Sequence, residues 1–80
     1  MIIKVLFFGM SKDVTGKSNE SIELDAQLSV KDFEELLMLK YPGLKDIGEF
    51  AIALNEAYAS GEQLISNHDT VAVIPPVSGG

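Results

Sequence analysis

The sequence predicts an α+β fold: a mixed β-sheet with one main helix packed on one face. Three observations carry that expectation. The chain opens with a β-branched and aromatic run, IIKVLFF, and a second such run, TVAVI, lies near its end. Between them, one stretch (SVKDFEELLMLKY) shows an apolar period of a helix rather than the alternation of a strand. The 80 residues are 46% hydrophobic and include no cysteine, which suits one small domain whose core closes without disulfides.

Residues 2–8 read as the first strand. Alternation puts Ile3, Val5 and Phe7 on the inner face and Lys4, Leu6 and Phe8 on the wetter one. Phe8 is then a large aromatic on the outer side, either covered by a loop or part of a docking patch. Residues 9–19 form a polar loop with two glycines. Residues 20–24 alternate again with Ile22 and Leu24 inward, which suggests an N-terminal hairpin. Ser29 with Asp32 three places on resembles a capping box, and the acid suits the positive helix end. Val30, Phe33, Leu36, Leu37 and Tyr41 make the apolar stripe, with Glu34, Glu35 and Lys40 opposite and Leu39 off it and partly exposed. Pro42-Gly43 stops the helix, and LKDIGE is a connecting loop. Residues 50–54 are a third strand, Asn55-Glu56 a turn and 57–59 a short return strand. Leu64 and Ile65 plug the base of the core, 66–69 turn, and 70–74 form the last strand.

The first and last strands are the most apolar and fit best side by side at the sheet centre. Joining them in parallel needs a long crossover, which the helix and its loops supply. That arrangement is a β-grasp, or ubiquitin-like, roll. Residues 1–74 are expected to form this domain and residues 75–80 an extended tail.

Six basic and twelve acidic residues leave a net charge of −6, which disfavours nucleic acid as a partner. It suits a basic protein patch and also simply favours solubility. The opening MIIKVLFFGM does not read as a signal peptide, because Lys4 interrupts it and no A-x-A-like site follows. No run approaches the roughly 18 apolar residues of a membrane span. A cytosolic, soluble protein is expected, without contact to membrane. One histidine, His68, in a polar turn, and no cysteine make a metal site unexpected. GMSKDVTGK lacks the spacing of a phosphate loop.

The remaining feature is the terminal IPPVSGG. After Asp69 no charged side chain appears. Pro75 and Pro76 end sheet pairing and stiffen an extended exit. Val77 is able to anchor in an apolar pocket, and Ser78 is small and polar. Gly79 and Gly80 have no Cβ, so a narrow channel can close around them. Six extended residues beyond Ile74 reach about 20 Å at ~3.3 Å each. A free carboxylate, with a pKa of roughly 3.3–3.7, is ionised and a poor acyl donor until activated. The chain offers no cysteine nucleophile, phosphate-cradling loop or Ser-His-Asp set to do this itself. The tail is therefore either a substrate for other enzymes or a truncated end without a role.

These residues resemble the small subunits of molybdopterin synthase, the ubiquitin-like sulfur carriers of molybdenum-cofactor synthesis. The match runs along the chain through IKVLFFG, FEELL, the Ala53–Asn55 triplet, DTVA and, most specifically, IPPVSGG. The resemblance implies that an activating enzyme uses ATP to adenylate Gly80. A sulfur donor system then converts it to a thiocarboxylate. Pro75, Pro76, Val77, Ser78 and Gly79 insert with it into the large synthase subunit, where sulfur passes to cyclic pyranopterin monophosphate. The chain itself is expected to bind no cofactor and to be inactive alone. Two carriers on a large-subunit dimer would make a heterotetramer. The resemblance also places Phe8, Lys12 and Ile74 at the partner interface; Lys12 stands where some members have an arginine, so it lacks the two-pronged guanidinium. Three other readings remain: a thiamine-pathway sulfur carrier, usually shorter and without Pro-Pro; a ubiquitin-like protein modifier, usually with a basic residue near its Gly-Gly; and a plain β-grasp interaction domain.

Overall fold

Alternating burial along the strands organises the molecule. A computed structural model of the chain describes residues 1–76. Strand β1 (Ile2–Phe7) leads into a short helix α1 (Met10–Thr15) and strand β2 (Asn19–Glu23). Helix α2 (Val30–Lys40) and a 3-10 helix (Pro42–Ile47) follow, then strands β3 (Ala51–Leu54), β4 (Ala57–Tyr58) and β5 (Thr70–Ile74). The five strands form one sheet in the order β2-β1-β5-β3-β4. β1 and β5 are parallel at its centre, with Val5 opposite Val71 and Phe7 opposite Val73. The other pairings are antiparallel. The α+β β-grasp roll expected from the sequence is the fold observed.

The inner sheet face carries Ile3, Val5, Phe7, Ile22, Ile52, Leu54, Val71 and Val73, all buried against Phe33 and Leu37 of α2. Burying a side chain of this kind stabilises by about 1.5–3 kcal/mol each, so this one layer dominates the small core. α2 starts as the capping residues suggest: the Ser29 Oγ accepts from the Asp32 amide at 3.2 Å. Its Val30, Phe33 and Leu37 are buried, Leu36 and Tyr41 half-buried, and Leu39 is more open than expected at 79%. Asn55 and Glu56 take φ of 50° and 73°, the paired positive values of a two-residue hairpin turn. The Asn55 side chain also ties this turn to β5, donating to Asp69 Oδ1 at 3.0 Å and accepting from the Thr70 amide at 2.9 Å.

Several local expectations are corrected. Residues 9–19 are not all loop, because α1 lies within them. Gly9 (φ 53°) turns the chain in, and Gly16 (φ 74°) ends the helix with its amide on the Lys12 carbonyl at 2.9 Å. The helix has no apolar stripe to reveal it. Its buried contact is a serine, Ser11, whose hydroxyl donates to the Phe8 carbonyl at 2.6 Å. Val14 packs so closely on Gly43 that a Cβ there would lie 2.8 Å from it. LKDIGE likewise contributes to a 3-10 helix. Leu44 and Ile47, three apart, eclipse on one face and are both buried. Of the pair expected to plug the core, only Ile65 does, being fully buried. Leu64 is 57% exposed, because successive extended residues face opposite ways and Leu64 bridges Ser29 there. Strand ends differ by one residue from expectation at β1, β2, β3 and β4.

Across the edge formed by β2 and α2, the Glu20 carboxylate accepts from Lys40 and from the Tyr41 hydroxyl, with the Lys17 ammonium 3.6 Å away. The Tyr41 ring stands edge-on to Phe7, 5.8 Å between centroids. Partial burial pushes the Glu20 pKa up. The hydrogen bonds from Lys40 and Tyr41 and the Lys40 and Lys17 charges outweigh it, and the net pKa lies below the ordinary carboxylate value.

Two outcomes follow from these packings. Ile65→Ala is expected to cost about 2–5 kcal/mol in urea unfolding, and its neighbour Leu64→Ala less than about 1 kcal/mol. Because the Glu20 pKa is depressed in the folded state, its stabilisation is full above the ordinary value of 4.5 and is lost as pH falls through the lowered one. The unfolding free energy of Glu20→Gln, followed by urea titration at stepped pH, should therefore fall less steeply on acidification than that of the wild type.

Candidate docking face and tail exit

The same alternation that fills the core leaves the other sheet face bare. Leu6 pairs with Ala72, Ala72 with Ala53 and Ala53 with Tyr58, forming one outward row across four strands. In the next row Ile74 pairs with Ala51. The Phe8 amide donates to the Val73 carbonyl at 3.3 Å, which sets Phe8 beside Ile74. α2 lies on the opposite face, and among the described residues no helix covers this one. Ala53 and Ala72 form a low floor between the larger Leu6, Phe8, Ile74 and Tyr58, so the surface is a shallow apolar depression of about 340 Å³. Phe8 is 49% and Tyr58 75% exposed. Large apolar groups left open in a cluster mark an interaction surface more often than scattered ones do.

Phe8 and Ile74, both expected at a partner interface, thus lie side by side on the sheet face. Of the alternatives for Phe8, the half-open position on this patch replaces burial under a loop. Lys12 is exposed on α1, which begins two residues after Phe8, and no ion pair to it occurs among the described residues. Tyr58 was not anticipated. Its signal was the A-Y-A alternation of the return strand, which singles out one large side chain between two small ones. Ala53 and Ala72 were equally silent, since a floor is made by what is absent from the side chain.

Strand β5 ends at Ile74, and Pro75 leaves the sheet from the same end as Phe8, because β1 and β5 run in parallel. A second depression of about 370 Å³ surrounds this exit, lined by Glu49, Phe50, Ala51, Tyr58, Ile74, Pro75 and Pro76. Tyr58 and Ile74 border both depressions, so the apolar face and the exit are one continuous surface. Val77, Ser78, Gly79 and Gly80, expected to be the inserting and reacting part, lie outside the described residues. Among the described residues no three His, Cys, Asp or Glu side chains gather as a metal site, and no helix is long and apolar enough to cross a membrane. His68 is exposed in the turn before β5, its amide on the Ile2 carbonyl at 2.8 Å. What the described surface offers chemically is binding: an apolar patch with Pro75 and Pro76 leaving its edge.

The chain is similar to known proteins along nearly its whole length. A model of the ThiS family matches residues 5–80. A molybdopterin synthase sulfur carrier subunit of Arabidopsis thaliana is 32% identical over 79 residues, spanning 98% of this chain and 82% of that protein. Among solved structures, SAMP1 from Haloferax volcanii superposes with a TM-score of 0.84 at 25% identity, covering 100% of both chains. A chain of the complex between subunits 1 and 2 of the molybdopterin-converting factor of Helicobacter pylori gives a TM-score of 0.69 at 27% identity, again over 100% of both chains.

The two neighbouring phenylalanines of β1 separate core from surface. Phe7→Ala is expected to cost about 3–5 kcal/mol in chemical unfolding, whereas Phe8→Ala and Tyr58→Ala should each cost less than about 1 kcal/mol.

Proposed function

The chain belongs to the ThiS family, and from that premise we propose that it is the sulfur carrier subunit of a molybdopterin synthase. The observation that carries this reading is the bare apolar sheet face that runs without a break into the exit of the tail. The face docks the carrier on the large subunit, and the tail reaches into that subunit's active site. Phe8, Ile74 and Tyr58 supply the apolar contacts, where aromatic side chains concentrate binding energy. Lys12 offers a point charge to an acidic partner group, without the fork of an arginine. Pro75 and Pro76 keep the tail extended, Val77 anchors it, Ser78 fits a narrow wall and Gly79 lets the channel close.

The chemistry at Gly80 belongs to the partner enzymes. In an adenylating enzyme a Gly80 carboxylate oxygen attacks the α-phosphorus of ATP and pyrophosphate leaves. The resulting acyl adenylate is a mixed anhydride. A persulfide of the donor system attacks its carbonyl carbon and AMP leaves; a second thiol of that system then attacks the donor sulfur of the acyl disulfide, closing a donor disulfide and releasing the thiocarboxylate. Inside the large subunit the thiocarboxylate sulfur, a softer nucleophile than oxygen, attacks an oxygen-bearing side-chain carbon of cyclic pyranopterin monophosphate, and the carbon–oxygen bond breaks as the carbon–sulfur bond forms. Water then cleaves the acyl carbon–sulfur bond, which leaves sulfur on the pterin and restores the carboxylate. The two sulfurs of the dithiolene require two such deliveries, which suits two carriers on a large-subunit dimer. No cofactor need reside on this chain. The carrier works in the cytoplasm. A second reading, a protein modifier joined to lysines, is favoured by one observation, the likeness to SAMP1, a small archaeal modifier protein, over both full chains.

Incubation with ATP, the activating enzyme and a sulfur source should give an intact-mass gain of sulfur for oxygen, localised to Gly80 and lost in a chain lacking Gly80. A tail left unmodified under conditions that load a known carrier would contradict the carrier reading, and Gly80 found on lysines of other proteins would support the modifier. Phe8→Ala should weaken association with the large subunit about ten-fold or more by titration calorimetry.

A further inference from the structure

A third depression, of about 600 Å³, lies on the helix side of the molecule, between α2 and the segment that joins the 3-10 helix to β3. Its floor is apolar. Leu44 is fully buried there, and Met38 and Phe50 are half-buried against the core. A smaller hollow of about 360 Å³ continues past Met38 and Lys45 to Leu39, which is 79% exposed. Glu34 and Met38, like Glu35 and Leu39, stand four apart on α2, so they form two adjacent rows along one side of that helix. Three carboxylates, Glu34, Glu35 and Glu49, border this groove against one ammonium, Lys45. Among the described residues none of the three is in an ion pair. Burial pushes the Glu34 pKa up, and the Glu35 charge adds to it. A cation placed at the rim would relieve both costs. The groove therefore fits an apolar side chain flanked by basic residues. It is also continuous with the tail exit, because Glu49 and Phe50 line both depressions. The sheet face reaches the exit through Tyr58 and Ile74, the groove through Glu49 and Phe50, so two apolar surfaces from opposite layers converge on Pro75 and Pro76.

We infer that the groove between α2 and the 3-10 helix docks the protein that donates sulfur, through an apolar side chain of that protein flanked by lysines or arginines. The chemistry asks for a second surface. An acyl adenylate is a mixed anhydride that water destroys, so the donor persulfide must reach it before the activated chain is released into solvent. The carrier is then held by two proteins at once, around one exit. Adenylation and sulfur transfer to the pterin both need the tail inserted, so the sheet face serves the activating enzyme as it serves the large subunit. That leaves the groove for the donor. The inference rests on the sulfur-carrier reading above.

The test uses the full-length chain with an activating enzyme and a persulfide-bearing donor protein that together load a known carrier. Wild type, Glu35→Lys, Leu39→Ser and Glu62→Lys are compared. Glu35 and Leu39 are exposed, so their replacement leaves the core intact, and Glu62→Lys makes the same charge change at an exposed residue outside the groove. Adenylation is read as ATP–pyrophosphate exchange without donor. Thiocarboxylate formation is read by intact mass as a rate against donor concentration. Glu35→Lys and Leu39→Ser should adenylate within about two-fold of the wild type yet need about ten-fold or more donor for half the maximal rate, a split that destabilisation alone does not give. Added salt should raise the donor requirement of the wild type more than that of Glu35→Lys. Glu62→Lys should match the wild type in both steps. If either groove variant matches the wild-type donor requirement within about two-fold, the inference is overturned and the carrier reading stands. Adenylation lost in the groove variants, or a donor requirement raised equally by Glu62→Lys, overturns it as well. A wild type that is not adenylated, or is adenylated and never gains sulfur, overturns the carrier reading, and this inference with it.

Discussion

The parallel pairing of β1 with β5 is the constraint on which the rest depends. Two strands from opposite ends of the chain run side by side in one direction, so the end of the first and the end of the last emerge together. Phe8 and Ile74 become neighbours only for that reason. An antiparallel pairing would send the tail out at the far end of the sheet from Phe8. The long crossover that parallel pairing demands is also what brings α2 across the inner face. One pairing choice therefore sets the core, the apolar outer face and the tail exit at once.

The sheet then divides its two faces by side-chain size as well as by polarity. The inner face is packed with branched and aromatic groups against Phe33 and Leu37, and those residues are wholly buried. The outer face has alanines at its centre and large apolar groups at its rim, which is a poor way to close a core and a good way to receive another protein's side chains. Leaving Phe8 and Tyr58 half or more open forgoes burial that a small domain could use. A partner seated on this face would recover it. The Glu20 cluster on the β2 edge is a separate device, tying Lys40 and Tyr41 at the end of α2 to the sheet.

Much of this was legible in the residues. The strand alternation of Ile3, Val5 and Phe7, the Ser29 cap and the Asn55-Glu56 turn are local signals, and each formed where the pattern put it. The elements that escaped were those whose stabilisation is tertiary. Helix α1 buries a serine instead of an apolar stripe, and the 3-10 helix follows a three-residue spacing too short to read as a period. Leu64 and Ile65 looked alike in sequence and parted because a backbone bridge fixed which faced inward. At the docking face the large residues Phe8 and Ile74 announced themselves, whereas Tyr58 and the alanine floor depend on register between strands far apart in the chain.

The central claim is that the bare sheet face and the tail leaving it form one surface for one partner. It is tested most directly by titrating the isotopically labelled chain with the large subunit of a molybdopterin synthase and following each backbone amide by NMR. The expected result is that the largest changes fall on Leu6, Phe8, Ala53, Tyr58, Ala72, Ile74 and the residues after Pro76, with α2 around Lys31, Glu35 and Leu39 left unchanged. Changes centred on that outer side of α2, with the sheet face silent, would contradict the account.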